Sequence, residues 1–302
     1  MGYVINFLSV SLYEGLVYGF VTLGVYITFR VLAFPDLTVD GSFPLGGAVA
    51  ATLIVGGVNP WLATLVAFIA GICAGLMTSL LNTKLRINAL LAGILMMVSL
   101  YSINLAIMGR SNVSVLREVT VFKQTAQLFG IEPTTTLSII FMVVLAIVIL
   151  GILNWFLRTE IGLALRATGD NEQMVRGLGV STDMTTIIGV SLSNGLVALA
   201  GGLIAQKQGF SDVGMGIGMI VMGLASVIIG ERLFRPRGVT TILFAVIGGS
   251  LVYRLFLGIA LRLGLPPNNL KLITALLVII ALAIPYIQKK VRGEWIPPAA
   301  RM

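Results

Sequence analysis

The sequence predicts an all-α polytopic membrane protein with about eight or nine transmembrane helices. Hydrophobic residues make up 57% of the 302 residues and charged residues only 11%. A soluble domain carries about 25% charged residues. The mean hydropathy is +1.02. Apolar runs of about 17–25 residues, the length that a helix needs to span a bilayer, recur along the whole chain.

These runs give the predicted helices in order, with boundaries uncertain by about 2–4 residues. One further run, 43–56, is short for a full crossing and is interpreted as part of a broken helix. The predicted full spans are 4–29, 61–81, 89–108, 135–156, 185–205, 217–229, 239–260 and 272–287.

The segment from Pro35 to Ser42 predicts a break between the first two helices. It places Asp36, Asp40 and a proline between two strongly apolar stretches. Charged side chains at membrane depth are costly and usually functional. Non-helical backbone at that depth requires a protein environment or a watery cavity. The break therefore predicts a solute pathway, to which we assign Asp36, Thr38, Asp40, Ser42 and, from a later span, Asn194.

The residues alone leave the role of these aspartates open. Freed backbone N–H groups at the break could receive an anionic group, or the aspartates could bind the ammonium of an amino acid. Alternatively, Asp36 and Asp40 cap the second half of the broken helix or pair with Arg30. For the other polar residues within spans, interhelical hydrogen bonds or ion pairs are expected instead. These are Glu14, Asn104, Asn194 and Arg254, and a pair between Glu14 and Arg254 is one possibility.

Loop charges predict the orientation. Alternating crossings place four basic groups on one side, which the positive-inside rule makes cytoplasmic. On this reading the N-terminus lies outside, and an external loop covers about 109–134. The four groups are Lys84 and Arg86; Arg158, Arg166 and Arg176; Arg232, Arg235 and Arg237; and Lys289, Lys290 and Arg292.

Composition excludes several chemistries, and we predict no catalytic residue and no metal site. The chain has no histidine and one cysteine, Cys73, within an apolar run. Histidine triads, histidine proton relays and disulfide frameworks are therefore excluded. No G-x-x-x-x-G-K-[ST] motif occurs, so no P-loop for a triphosphate is present. The net charge of +8 is accounted for by basic cytoplasmic loops, and nucleic acid is not an expected partner.

The polar cytoplasmic loop, about 157–184, predicts a helix of about two turns. Asp170 and Asn171 are good N-caps, and Gly179 is a suitable stop. Between them, Met174, Val175 and Leu178 form one apolar face. This helix either rests on lipid headgroups or docks into a groove of a cytoplasmic partner.

A resemblance favours the second alternative. The segment Gly169-Asp170-Asn171, followed by Met174, Val175 and Gly179-Val180, resembles the coupling segment of ABC importer permeases in the branched-chain amino acid, sugar and nucleoside superfamily. Val175 and Val180 stand where that family usually has alanine and isoleucine. The run from Thr28 to Phe43 is similar to a subgroup linked to tryptophan or tyrosine uptake in bacteria. The resemblance covers nearly the whole chain, so residues 1–302 are expected to form a single permease domain.

The resemblance implies a subunit of a larger importer in the bacterial plasma (inner) membrane. A cytoplasmic ABC ATPase dimer would bind the coupling residues Gly169, Asp170, Asn171, Met174, Val175, Leu178 and Gly179. ATP and Mg²⁺ would be bound by that ATPase, with no cofactor on this chain. A second permease copy within the lipid bilayer, and an extracellular or periplasmic solute-binding protein, would complete the system. Aromatic amino acids are the first expectation for the solute and branched-chain amino acids the second.

Two other functions are less consistent with the sequence. A stand-alone secondary transporter driven by an ion gradient could use Asp36, Asp40 and Glu14, but it would have no ATPase for the cytoplasmic helix to dock on. An intramembrane aspartic protease is disfavoured because its two acids come from separate elements, whereas Asp36 and Asp40 are four residues apart.

Overall fold

The structure is a computed structural model that describes residues 2–128, 130, 134–263, 272, 274–276 and 279. Within these residues, seven helices are long and apolar enough to cross a membrane. The predicted span 272–287 lies almost wholly outside the described residues.

The elements are α1 (Gly2–Val25) with a π-helical extension (Tyr26–Val31), α2 (Val39–Val55), α3 (Pro60–Thr83), α4 (Ala89–Met108), β1 (Asn112–Ser114), α5 (Val121–Leu128), α6 (Thr135–Phe156), α7 (Glu160–Asp170), α8 (Glu172–Gly177), α9 (Thr182–Gln208), β2 (Phe210–Asp212), a 3₁₀ turn (Val213–Gly216), α10 (Met219–Phe234) and α11 (Val239–Arg262).

Local capping explains where several of these helices begin. The Asn59 side chain accepts the backbone N–H of Trp61 at the start of α3, and Pro60 occupies the first helical position. Asn88 caps α4 and Thr134 caps α6 in the same way. Helices α4 and α6 have the bounds that the apolar runs predict.

Helix α9 lies at the centre of the bundle, against α1, α2 and α3. Small residues allow this close packing. A Cβ on Gly71 or Gly75 of α3 would overlap backbone carbonyl oxygens of α9, and a Cβ on Gly46 of α2 would do the same. Glycine at such positions lets helix backbones approach in a membrane, where packing rather than water drives association.

The predicted break between the first two helices is present, and helical structure resumes at Val39. Asp40 and Ser42 therefore lie within α2, while Asp36 lies in the non-helical connection. Helix α2 has 17 residues and is buried along most of its length. The short apolar run is thus an inner helix of the bundle.

The bundle has two distinct ends. At one end, β1 and β2 pair antiparallel, with Val113 opposite Ser211. Gly19 contacts Ile247, and the earlier Gly15 contacts the later Leu251, so α1 runs antiparallel to α11 and begins at this same end. Helices α7 and α8 lie at the opposite end, together with the basic loops that follow α3 and α10. This arrangement agrees with the alternation of crossings on which the predicted orientation rests.

Candidate functional site

The connection between α1 and α2 is non-helical inside the bundle. Residues Tyr26–Val31 form a π-helix, and Ala33 adopts a left-handed conformation with φ of +53°. That conformation costs a residue other than glycine about 1–2 kcal/mol. The connection then turns into the bundle, where Leu37 lies against Gly93 of α4. π-Helical turns and strained backbone cluster at functional sites, which makes this segment a candidate.

Four of the predicted pathway residues meet in one buried network around this connection. The Asp36 carboxylate accepts the backbone N–H of Thr38 at 2.9 Å and the side-chain amide of Asn194 at 2.7 Å. The Ser42 hydroxyl donates to Asn194 Oδ1 at 2.6 Å. All four side chains are fully buried. The network joins the α1–α2 connection to the middle of α9.

The Thr38 hydroxyl extends this network to α3 by a hydrogen bond of 2.8 Å with the Thr78 hydroxyl. Asp36 thus accepts an N–H group at the start of α2, which is one of the structural roles expected from the sequence. The other structural alternative, an ion pair of the aspartates with Arg30, is wrong. Arg30 instead pairs with Glu231 near the end of α10, because the π-helical turn places it at the basic end of the bundle.

Asp40 lies apart from the network and caps a different helix. Its carboxylate accepts the backbone N–H groups of Gly218 at 3.0 Å and Ile220 at 2.9 Å. These groups belong to the first turn of α10, whose positive dipole end favours an ionised carboxylate. Asp40 also borders a cavity beside α4. Of the aspartate pair, Asp40 is therefore the one with access to an open space.

The two remaining sequence expectations for intramembrane polar residues are confirmed. Arg254 Nη1 lies 3.2 Å from a Glu14 carboxylate oxygen, so α1 and α11 are joined by an ion pair. Its guanidinium also lies over the Tyr18 ring, 3.6 Å from the centroid. Asn104 of α4 donates to the Gly41 carbonyl oxygen of α2 at 3.2 Å.

The cytoplasmic loop forms two helices, α7 and α8. The Asn171 side chain accepts the backbone N–H of Met174 at 3.0 Å and caps α8. Asp170, which was also predicted to be an N-cap, is instead the last residue of α7. Gly179 adopts a φ of +84°, which suits the predicted stop after the helix.

The apolar residues of α8 do not share one exposed face, and this corrects the sequence prediction. Val175 is 2% exposed and points into the protein, whereas Met174 is 53% and Leu178 is 75% exposed. The reason is that α8 is a short helix held against the start of α9, so one side of it must be covered. The exposed apolar surface of α8 consists of Met174 and Leu178.

Arg176 holds α8 in place. Its guanidinium contacts Glu172 at 2.7 Å, the Thr182 hydroxyl at 2.6 Å and Asp183 at 3.3 Å. Asp183 also lies 3.8 Å from Lys84 in the loop between α3 and α4. One residue thereby ties α8 to the start of α9.

Gly169, near the end of α7, lies directly on the α1–α2 connection. A Cβ at this position would overlap the Val31 carbonyl oxygen, and it would lie 3.0 Å from the Leu32 carbonyl carbon. By contrast, Gly177 at the end of α8 has no neighbour within 4 Å of such a Cβ. The predicted coupling segment therefore touches the π-helical end of α1 through one glycine.

Sequence reasoning missed the residues whose role depends on distant partners. No local sequence pattern indicates the contacts made by Thr78 or by the N–H groups of Gly218 and Ile220. Arg176 could have been found, because Glu172 precedes it by four residues, a spacing at which helical side chains form ion pairs. Among the described residues, no group of three or more Cys, Asp or Glu side chains could hold a metal ion.

Comparison with known proteins gives a consistent set of matches. The sequence model of a family described as "Branched-chain amino acid transport system / permease component" matches residues 7–282. A tyrosine transport system permease protein of Clostridioides difficile (strain R20291) is 40% identical over 287 residues, covering 94% of each chain. An uncharacterised protein of Rickettsia prowazekii (strain Madrid E) is 37% identical, covering 92% of this chain and 97% of that one. A ribose import permease protein of Escherichia coli (strain K12) is 28% identical over 54% of this chain and 50% of its own. No solved structure matches the chain.

Proposed function

The chain belongs to the family of permease components of branched-chain amino acid transport systems, and from this premise we propose that it is the membrane-spanning permease subunit of an ATP-driven importer. It forms the solute pathway and couples to a separate cytoplasmic ATPase. Two copies enclose the pathway in the bacterial inner membrane, and a solute-binding protein delivers the solute from outside.

The observation that carries this proposal is the exposed apolar surface of α8. Met174 and Leu178 lie at the basic end of the bundle, which the positive-inside rule makes cytoplasmic. Apolar side chains on a short helix that is fixed by Arg176 are suited to insertion into a groove of a partner protein. A transporter working alone would have no ATPase on which such a surface could dock.

The lack of a nucleotide-binding motif supports an ATPase on a separate chain. The sequence has no P-loop motif. ATP and Mg²⁺ would be held by the partner, and this subunit would carry no cofactor. The resemblance to a tyrosine transport permease makes aromatic amino acids the first candidates for the solute and branched-chain amino acids the second.

The first test is purification of the chain from its native membrane in a mild detergent, followed by mass spectrometry of the proteins that accompany it. We expect a stoichiometric ATPase with a P-loop. A chain that purifies alone and transports solute in liposomes without ATP would overturn the proposal and favour an ion-driven secondary transporter.

The docking surface is tested by two neighbouring substitutions. Met174→Glu places a charge on the exposed surface, where burial against a partner would cost several kcal/mol unless it is paired. We expect the folded protein to lose ATPase binding and uptake. Val175→Glu places the same charge in the protein interior, so it should lower the yield of folded protein instead. Normal ATPase binding by the Met174→Glu protein would contradict docking through α8.

A further inference from the structure

A polar groove of about 520 Å³ lies beside α8, at the basic end of the bundle. One wall comes from the end of α3 and the loop that joins it to α4, and includes Arg86. The other wall comes from α8 and the first two turns of α9, and includes Gln173. Because Met174 directly follows Gln173, a partner that covers the exposed surface of α8 would also lie beside this groove.

Hydrogen bonds on both sides of Arg86 fix the backbone of the α3–α4 loop. The Asn82 side-chain amide donates to the Ile87 carbonyl oxygen at 2.8 Å. The Asn88 side chain accepts the backbone N–H of Leu90 at 2.9 Å and thereby caps α4. Between them, Arg86 adopts a left-handed conformation with φ of +57°. The guanidinium of Arg86 is therefore attached to a defined backbone at the edge of the groove.

The charges in and beside the groove are paired, with Arg86 as the exception among the described residues. Glu172 and Asp183 both contact the Arg176 guanidinium, at 2.7 Å and 3.3 Å. Asp183 also lies 3.8 Å from Lys84. The side chain of Arg86 is exposed and makes no hydrogen bond or ion pair within the part of the chain that the structure describes. Three cations and two carboxylates leave one excess positive charge, which is that of Arg86.

We propose that this groove receives a carboxylate side chain of the partner ATPase, and that Arg86 binds it. The planar guanidinium presents parallel N–H groups that match the two oxygens of a carboxylate, so Asp or Glu fits better than a neutral side chain. The inference rests on the proposed function and adds the chemistry of the contact. Met174 and Leu178 provide apolar burial, whereas a charge pair at Arg86 contributes to the choice and the orientation of the partner.

A small free anion, such as inorganic phosphate, is the main competing occupant. It would also pair with the Arg86 guanidinium. However, it would need no acidic residue on the ATPase. The two occupants therefore differ in whether a change of charge on the ATPase compensates for a change of charge at Arg86.

The first variant is Arg86→Glu. Binding is measured by separating the co-purified ATPase and titrating it onto the full-length chain in lipid nanodiscs. We expect the dissociation constant to rise at least about tenfold, because like charges then meet across the interface. The melting temperature should not change, because Arg86 is exposed and holds no other residue in place. Normal ATPase binding by this variant would overturn the proposal.

Arg237→Glu is the matched control. It makes the same change of charge at an exposed position of the same end of the bundle, but Arg237 does not line the groove. It should leave ATPase binding unchanged. Equal losses in the two variants would show a general electrostatic attraction in place of a contact at Arg86, and would overturn the proposal.

The decisive test is a charge swap. A photo-reactive benzoylphenylalanine at position 173 should cross-link to a segment of the ATPase that contains Asp or Glu, since Gln173 lines the groove opposite Arg86. Reversal of that acid to Lys should weaken binding to the unmodified permease and restore most of the affinity of Arg86→Glu. A cross-linked segment without an acid would overturn the proposal. If no reversal restores binding, or if wild-type binding requires phosphate in the buffer, the occupant is not an ATPase carboxylate.

These outcomes are separable from failure of the proposed function. Loss of ATPase binding by Met174→Glu, together with normal binding by Arg86→Glu, would overturn the carboxylate contact and leave the importer standing. A wild-type chain that binds no ATPase would overturn the importer, and the contact with it.

Discussion

At the scale of single residues, Asp36 and Asp40 have different surroundings, from which we infer different roles. Both Asp36 oxygens accept N–H groups from within the protein, and the residue is fully buried. Asp40 caps the first turn of α10 and borders a cavity. Because the hydrogen bonds of Asp36 all lie within a buried network, we infer that this residue stabilises the fold. Asp40 borders a cavity, so it is the one of the two that could contact a ligand.

We predict that Asp36→Ala destabilises the protein. The substitution leaves the Thr38 N–H and one donor of Asn194 without their acceptor, and each buried donor left unsatisfied costs about 1–3 kcal/mol. The melting temperature in detergent should fall clearly. Thr22→Val is the control, because Thr22 is equally buried but donates only to Tyr18 of its own helix, and it should change the melting temperature little. An Asp36→Ala protein of unchanged melting temperature that has lost uptake would instead place Asp36 in the solute pathway.

Residue roles could be predicted from the sequence where they depend on near neighbours. Asn171 as a cap and Gly179 as a stop follow from residues within a few positions. The bond between Asp36 and Asn194 spans 158 residues, and nothing local specifies it. The inward orientation of Val175 could not be predicted either, because it depends on how α8 lies against α9.

At the scale of elements, the predicted coupling segment meets the helix break. Gly169 of α7 lies on the carbonyl group of Val31, at the π-helical end of α1. The connection that follows carries Asp36, which is hydrogen bonded to the middle of α9. A displacement of α7 and α8 by a partner would therefore act on the break and on the buried network through direct contact.

We predict that Gly169→Ala uncouples transport from ATP hydrolysis. The added methyl group must push α7 away from Val31 and Leu32, which alters the contact without changing the exposed surface of α8. Uptake should fall at least about tenfold, since small misplacements of coupled groups have large kinetic effects, while the ATPase still co-purifies and hydrolyses ATP. The readout is the ratio of solute imported to ATP hydrolysed in proteoliposomes.

Gly177→Ala provides the matched control, because it adds the same methyl group to the same segment in open space. It should leave the ratio unchanged. Equal behaviour of the two variants would show that the contact of Gly169 with the break has no part in coupling.

The long helices were predictable because hydropathy and length alone specify a spanning helix. The bounds of α4 and α6 agree with their apolar runs, and α9 extends its run by three residues at each end. The pairing of β1 with β2 was not predicted, since each strand has three residues and its partner lies almost 100 positions away. The π-helical turn was missed because no residue type in Tyr26–Val31 specifies a π-helical rather than an α-helical hydrogen-bond pattern.

At the scale of the whole molecule, the distribution of basic residues and the arrangement of the helices distinguish the same two ends of the bundle. The end with α7 and α8 carries Arg30 together with the basic loops that follow α3, α6 and α10. The end with β1 and β2 carries the start of α1 and fewer basic residues, mixed with Glu118 and Asp212. The positive-inside rule places the first end in the cytoplasm. The proposed ATPase contact depends on this orientation, because ATP is available only on that side.

We predict that cysteine labelling in intact cells and inverted vesicles reports this orientation. Cys73 is first replaced by alanine, since it is exposed on α3. Arg117→Cys lies in the predicted external loop and Arg237→Cys in the connection before α11, and both positions are exposed. A membrane-impermeant maleimide should label position 117 in intact cells and position 237 only in inverted vesicles. Removing one arginine from a group of basic residues should not reverse the topology, and uptake by each variant checks this. The opposite labelling pattern would put Met174 and Leu178 outside the cell, beyond the reach of any ATPase, and would overturn the coupling role of α8 while leaving the described bundle unchanged.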